Sequence, residues 1–372
     1  MFKRSFIGLL LVSVMISCNS SVENPTDGGK DNFNRQEMLS NWADHIIVPA
    51  YEDLNADLND LVSKKNEFLQ TPDQTHLEAI RNSWLNAYET WQYVEMFSIG
   101  KAEDINYAFQ MNIYPTNIQD IQDNISLGTY DLTHVNNNDA VGFPAVDYML
   151  FGLEASEEAI LEAYTSATLS MQNKSYLSDL IDQMQSLTEL VLNDWKLGYR
   201  DAFVNNASNT ATSSTNKLTN DFIYYYEKGL RANKFGIPAG VFSTSPFYDK
   251  VEAFYYQEAS KKLSLKALQA TQDFFNGKAY GAESTSDSFK TYLQYLQNGT
   301  EDVNLSSLIN DQFNVAKSSI ESLDNNFSAQ IKTDNTKMTQ AYDELQKAVV
   351  LLKVDMIQAM NISVDFVDAD GD

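Results

Sequence analysis

Hydrophobic residues recur every three or four positions along most of the chain, which is the spacing of one buried helix face. In the stretch 34–70, these residues are Met38, Trp42, Ile46, Leu54, Leu58 and Leu61. A second stretch begins with a helix-capping residue, Thr71 or Asp73, and ends at Gly100. The same spacing predicts further helices near 155–172, 174–198, 215–232, 247–275, 286–298, 303–327 and 336–360. The pattern therefore predicts an all-α fold.

The polar stretch "NNASNTATSSTN", residues 205–216, contains no apolar anchor and separates two helix-rich halves. We therefore expect two packed helical bundles, 33–206 and 207–372, related as a structural pseudo-repeat. Only "NISVDFVD", residues 361–368, alternates apolar and polar positions as a strand does. A minor strand is expected there, near the C-terminus.

The N-terminus has the composition of an export signal. Lys3 and Arg4 precede the apolar run 6–16, which is too short to cross a bilayer. We therefore interpret residues 1–17 as a signal peptide.

The only cysteine, Cys18, follows a small residue where cleavage is expected, and "MISC" resembles a bacterial lipobox. Lipidation at Cys18 would anchor the protein without a transmembrane helix, and the polar stretch 18–32 would form a flexible tether. The alternative is an ordinary signal peptide with a chance cysteine. The predicted location is the bacterial cell envelope, at the outer membrane. The anchor would lie on either the periplasmic or the surface face, and the sequence does not distinguish the two.

The charge balance excludes nucleic acid as a partner. The chain has 26 basic and 51 acidic residues, a net charge of −25, and no basic patch. Such a surface repels phosphate backbones. With Cys18 lipidated, no cysteine remains for a disulfide or a metal site.

Familiar catalytic motifs are missing from the sequence. His45, His76 and His134 are far apart, and none belongs to an HExxH pair. The chain also lacks GxSxG, GxGxxG and GxxxxGK. We interpret the histidines as surface or capping residues.

The C-terminal "DADGD" is similar to the start of a calcium loop, but the chain ends before the required glutamate. We interpret it as an acidic tail. Cation binding by Asp368, Asp370 and Asp372 is the alternative.

The segment "VGFPAVDYMLFG" predicts a short helix after a tight turn. Gly142 suits the turn, and Pro144 suits the first helical position because its missing N–H leaves no donor unpaired there. Asp147 has two interpretations. It closes a loop at the helix start, or it is a buried carboxylate in a cleft between the bundles.

Two other segments carry charged residues that are candidates for the same site, one acidic and one basic. "ETWQYVEMF" places Glu95 on an aromatic helix face, which is typical of a core. "RANKFGIPAGVFS" ends a helix with cations, and Arg231 is a candidate partner for Asp147 or Glu95.

Together with "WLNAYETWQYVEMFSIG", the opening "NWADHIIVPAYEDL" and the ending "LLKVDMIQAMNISVDFVDADGD", these segments resemble the imelysin-like proteins. They occur in the family's order and span the chain from about Asp31 to Asp372. The resemblance implies a fold of two helical bundles in an exported bacterial protein, often a lipoprotein. It also implies a role in iron uptake, with iron or another divalent cation as ligand, and it brings a metallopeptidase label.

The family signature Gly-x-His-x-x-Glu corresponds here to Gly142, Pro144 and Asp147. Proline cannot coordinate a metal, and one shortened carboxylate would hold a hard cation poorly without other ligands. Asp147 and Glu95 are the candidates for metal contact, and the peptidase label is doubtful for this chain.

Three functions follow from these observations. The first is a non-catalytic, lipid-anchored protein with an interdomain pocket, serving iron or haem uptake together with uptake components. The second is a zinc metallopeptidase. The third is a glycan-binding outer-membrane lipoprotein, in which some of the 20 Tyr, 20 Phe and 4 Trp would stack on sugars.

Overall fold

The computed structural model describes residues 31–297 and 304–365. The predicted signal peptide, Cys18, almost all of the tether and the acidic tail lie outside the described residues. No helix in the described part of the chain is both long and apolar enough to cross a membrane.

Residues 31–206 form ten α-helices. They are α1 (Arg35–Asn41), α2 (Val48–Gln70), α3 (Gln74–Trp91), α4 (Lys101–Asp104), α5 (Tyr107–Met111), α6 (Ile118–Leu127), α7 (Gly142–Asp147), α8 (Glu157–Thr165), α9 (Ser170–Asp194) and α10 (Arg200–Asn205). A 3₁₀ turn spans Val135–Ala140. Helix α2 packs against both α3 and α9, which makes it the centre of this half.

The second half contributes the remaining helices. They are α11 (Ser214–Tyr224), α12 (Ile237–Ala239), α13 (Ser260–Asn276), α14 (Phe289–Leu296), α15 (Leu305–Glu321), α16 (Phe327–Val350) and α17 (Ile357–Met360). Here α15 packs between α13 and α16.

Several helices continue into wider π-helical turns, which often occur near functional sites. These segments are Trp42–Ile47, Tyr148–Gly152, Trp195–Tyr199, Tyr225–Gly236 and Leu351–Met356. The longest, Tyr225–Gly236, continues α11 and packs against α16. It carries most of the buried charge of the second half.

The apolar face predicted for the first helices is confirmed. Met38, Trp42, Leu54, Leu58 and Leu61 are fully buried. Helix α3 begins as predicted, because the side chain of its N-cap Asp73 accepts a hydrogen bond from the backbone N–H of His76 at 2.9 Å. The prediction of an all-α fold is therefore confirmed.

The predicted helix 247–275 is wrong in its first part. The chain passes through turns until α13 begins at Ser260, with positive φ angles at Ala253 (54°) and Gln257 (68°). The hydroxyl of Ser260 donates to the carbonyl of Glu252 at 2.7 Å and fixes the end of this loop. An apolar pattern alone could not separate the loop from the helix after it.

The strand predicted at 361–368 is absent from its described part, residues 361–365. The backbone N–H groups of Ser363 and Asp365 donate to the side chains of Asn216 and Asn220, at 2.8 and 3.3 Å. Side-chain amides on α11 thus replace a partner strand.

The division at 206/207 stays a prediction, as does the pseudo-repeat. Residues Phe33–Asp372 group as one compact unit. The polar stretch 205–216 does interrupt the helices, since α10 ends at Asn205 and α11 begins at Ser214.

Candidate functional site

Helix α7 is placed by a close approach between two backbones. Gly142 has a φ of 73°, and a Cβ atom there would lie 2.2 Å from the carbonyl oxygen of Met111. Only glycine fits both conditions. The helix begins at Gly142 rather than at Pro144, so the buried proline occupies the third helical position, still within the first turn.

Asp147 is the last residue of α7, not a helix-start residue, and only 2% of it is exposed. Its Oδ2 accepts the backbone N–H of Tyr255 at 2.9 Å, and its Oδ1 accepts that of Tyr256 at 3.0 Å. Burial raises the pKa of Asp147 to about 7, although the two hydrogen bonds act in the opposite direction. Asp147 is therefore a buried clamp that holds the loop before α13.

The metal implied by the family signature does not fit the residues present. Pro144 offers no donor atom, and both oxygens of Asp147 already accept backbone hydrogen bonds. Within residues 31–297 and 304–365, no group of three histidine, cysteine, aspartate or glutamate side chains is placed to hold a metal ion. Glu95 lies in a different cluster.

That cluster, here called the Lys234 network, is centred on a buried ammonium group. Lys234 Nζ lies 2.6 Å from Glu252 Oε2, 3.8 Å from Glu95 Oε2 and 2.9 Å from Gln92 Oε1. The amide of Asn112 donates to Glu95 Oε1 at 2.9 Å and to Glu252 Oε1 at 3.0 Å. Burial raises the pKa of Glu95, and the nearby Glu252 adds to that effect while Lys234 opposes it.

The predicted pairing of Arg231 with Asp147 or Glu95 is wrong. Arg231 Nη2 lies 3.5 Å from Glu227 Oε1, and Nη1 donates to the Tyr342 hydroxyl at 3.1 Å. Lys234 takes the expected role beside Glu95. The sequence placed both cations near one helix end, and only the packing of the π-helical segment could distinguish them.

A cavity of about 720 Å³ adjoins the Lys234 network. Its walls come from both halves of the chain, mainly from residues 95–114 and 220–237, so we name it the Glu95 cavity. Its polar lining residues include Glu95, Asn112 and Tyr225. Gly142, Pro144 and Asp147 are not among its lining residues.

Sequence reasoning missed Glu252, Asp221 and Tyr225. Glu252 lies in the stretch 247–275, which the apolar spacing predicted to be one helix. Asp221 lines the cavity, and its pKa is raised to about 8 by burial, with the negative charges of Glu103 and Asp365 adding to the effect. The run "DFIYYYEK", 221–228, was the available signal, because it places acids beside a cluster of tyrosines.

Comparison with known proteins identifies the family. The peptidase M75 family model, described as Imelysin, matches residues 47–355. The chain belongs to the imelysin family. The predicted resemblance to the family is therefore confirmed, and the correspondence of its signature to Gly142, Pro144 and Asp147 stays a prediction.

A curated relative of this imelysin-family chain is "Iron-regulated protein A" of Synechococcus elongatus, 24% identical over 153 residues. That match covers 41% of this chain and 39% of the relative, so the chain spans about two fifths of the relative's length.

Two solved structures share the fold. An imelysin-like protein from Psychrobacter arcticum has a TM-score of 0.68 at 15% identity, covering 90% of this chain and 97% of its own. A putative iron-regulated protein A precursor from Parabacteroides distasonis has a TM-score of 0.70 at 16% identity, covering 89% and 98%. At these identities the likeness establishes the fold alone.

Proposed function

We propose that this imelysin-family protein is an exported, lipid-anchored and non-catalytic binding protein that serves iron acquisition, and that the Glu95 cavity is its binding site. The role in iron acquisition is supported by two names. The curated relative is called "Iron-regulated protein A", and one of the solved structures is of a putative iron-regulated protein A precursor. Export and anchoring are supported by residues 1–17 and Cys18.

The observation that carries the binding role is the cavity together with the Lys234 network behind it. Small-molecule sites are typically concave, about 300–1,000 Å³ in volume, and lined by apolar groups with a few placed polar atoms. The Glu95 cavity, at about 720 Å³, has this size. Phe109, Ile113 and Ile237 supply apolar surface, while Glu95 and Asn112 supply the polar atoms.

The non-catalytic part is supported by the altered signature. A metallopeptidase needs a metal with an open coordination position to activate water. Here Pro144 supplies no ligand, and Asp147 already accepts two backbone hydrogen bonds. Within the described residues, this short helix therefore lacks the set of side chains that a catalytic metal ion needs.

The proposal is tested by growth under iron limitation. Cells lacking the protein are complemented with the wild type, with Ser98→Trp or with Ser166→Trp. Ser98 is exposed and lines the cavity, so a tryptophan there fills the cavity with little effect on the core. Ser166 is an exposed residue after α8 and serves as the matched control.

We expect wild type and Ser166→Trp to restore growth and iron uptake, and Ser98→Trp to fail while remaining folded and membrane-bound. A Cys18→Ala variant should move the protein from the membrane to the soluble fraction. Full complementation by Ser98→Trp would exclude the cavity from the function. Normal growth of the deletion strain with chelated iron would exclude the role in iron acquisition.

A further inference from the structure

We propose that the Glu95 cavity binds an organic cation with a flat apolar body, whose charged end lies between Glu95 and the hydroxyl of Tyr225. This inference rests on the proposed role of the cavity as the binding site. It adds the chemical class of the ligand.

At the buried end of the cavity, the hydroxyl of Tyr225 lies beside the Glu95 carboxylate and interacts with it. The Tyr225 side chain is 5% exposed, and neither its hydroxyl nor Glu95 Oε2 makes a hydrogen bond of normal geometry among the described residues. The cation Lys234 Nζ is 3.8 Å from Glu95 Oε2, and Asn112 engages only the other oxygen, Oε1. A ligand N–H group would therefore bind by displacing the contact between Tyr225 and Glu95 and donating to both oxygens.

The charge of the Lys234 network favours a cation at this end. Glu95 and Glu252 face one ammonium group, so the network carries one excess negative charge when both carboxylates are ionised. Lys234 lies closer to Glu252 (2.6 Å) than to Glu95 (3.8 Å) and therefore neutralises Glu252 first. A buried carboxylate without a full partner gains most from a charged donor.

The mouth of the cavity is acidic as well. Glu103 and Asp365 are exposed lining residues, and Asp221 lies between burial and exposure. Burial, with a smaller contribution from Glu103 and Asp365, raises the pKa of Asp221 to about 8, so a bound cation nearby would favour its ionisation.

Two lysines also line the cavity and oppose this field. Lys250 Nζ lies 4.3 Å from the ring centroid of Phe247, which does not line the cavity. This cation–π contact directs the Lys250 ammonium group toward that ring. Lys228 is then the main opposing cation. With Asp221 protonated at neutral pH, the three other acidic lining residues, Glu95, Glu103 and Asp365, still outnumber the two lysines.

The walls suit a flat apolar body. Phe109 and Tyr224 are 54% and 43% exposed, and with Ile113 and Tyr114 they give the cavity an aromatic and aliphatic lining. Aromatic faces attract organic cations in addition to apolar surface. A bare metal ion would leave these walls unused.

The experiment uses three probes of the same shape and different charge: 2-naphthamidine, 2-naphthamide and 2-naphthoate. Each is titrated calorimetrically into the purified mature protein. A charge-assisted hydrogen bond contributes about 1.5–3 kcal/mol, so we expect the amidine to bind at least about tenfold more tightly than the amide. The naphthoate should bind more weakly still.

Glu95→Gln should abolish this preference and Tyr225→Phe should reduce it, with melting temperatures measured for both. Glu189→Gln removes an exposed carboxylate on α9 and is the matched control, which should bind like wild type. Equal binding of amidine and amide, tighter binding of naphthoate, or an unchanged preference in folded Glu95→Gln would overturn the proposal.

The two proposals fail separately. If the amidine shows no preference but Ser98→Trp still abolishes iron-limited growth, the ligand class is wrong and the function stands. If the preference is found but growth is unaffected, the ligand class stands and the iron role is wrong.

Discussion

Asp147 and Glu95 are both carboxylates removed from solvent, and burial raises the pKa of each. Their surroundings differ in how many acceptor positions are filled. Both oxygens of Asp147 accept backbone N–H groups, from Tyr255 and Tyr256. Glu95 lines a cavity, and it has one oxygen engaged by Asn112 and one, Oε2, without a hydrogen bond of normal geometry among the described residues.

The comparison teaches that burial alone does not identify a binding carboxylate. A buried carboxylate in which both oxygens accept backbone hydrogen bonds stabilises the fold, because removing it leaves donors without partners. One with an oxygen that accepts no hydrogen bond of normal geometry, beside a cavity, can serve a ligand. On this account helix α7 is structural, and the proposed binding chemistry lies in the Lys234 network.

The largest effect is expected for Asp147→Ala. It leaves two partly buried N–H groups unpaired, each costing up to about 1–3 kcal/mol, so the free energy of unfolding should fall by as much as about 2–6 kcal/mol. Urea denaturation measures this fall. Asp249→Ala, an exposed aspartate in the same loop, is the control and should change stability little. A stable Asp147→Ala protein would contradict the structural role.

Lys234→Met tests the other cluster. It leaves Glu95 and Glu252 buried without their cation, and breaking such a pair typically costs about 3–5 kcal/mol. Because the carboxylates can recover by taking up protons, the loss should be larger at pH 8 than at pH 5. Denaturation at the two pH values measures it, and a loss independent of pH would show that the network does not share charge as described.

The free energy of unfolding should depend on pH through the titration of Asp147. Since Asp147 has a pKa of about 7 in the fold and an ordinary value of 3.8, the native state holds its proton more tightly than the unfolded state. Its contribution to stability is therefore fully present below about pH 4 and is lost as pH rises to about 7, by at most about 1.4 kcal/mol per pH unit.

Asp147→Asn removes that titration. The unfolding free energy of wild type minus that of Asp147→Asn should be larger at pH 5 than at pH 8. An equal difference at the two pH values would show that the Asp147 carboxyl does not titrate in this range.

The smallest effect on stability is expected for Glu95→Gln. Its amide oxygen can keep the Asn112 hydrogen bond, and a neutral side chain avoids the desolvation that burial imposes on the charged carboxylate. The free energy of unfolding should change by less than about 1 kcal/mol. A large loss, comparable with that of Asp147→Ala, would place both carboxylates in the same structural class.

Much of the fold could be predicted from the sequence, because helix α2 and its partners follow a regular apolar spacing that burial reproduces. The loop before α13 could not, because the hydrogen bonds that hold it come from Asp147, far away in the sequence.

The candidate site was predictable only in part. Glu95 was identified in the aromatic segment 89–97, but it lies in the turns after α3, which ends at Trp91 rather than near Gly100 as predicted. Lys234 and Glu252 depend on how the π-helical segment Tyr225–Gly236 packs. The sequence pointed to Arg231 because it shares that helix end. Local spacing could not show which cation faces Glu95.

The most direct test compares Asp147→Asn and Glu95→Gln in the same 2-naphthamidine titration and the same thermal melt. The account predicts that Asp147→Asn lowers the melting temperature and keeps the affinity, whereas Glu95→Gln keeps the melting temperature and loses the affinity. The opposite pattern would return the binding role to the short helix and contradict the account.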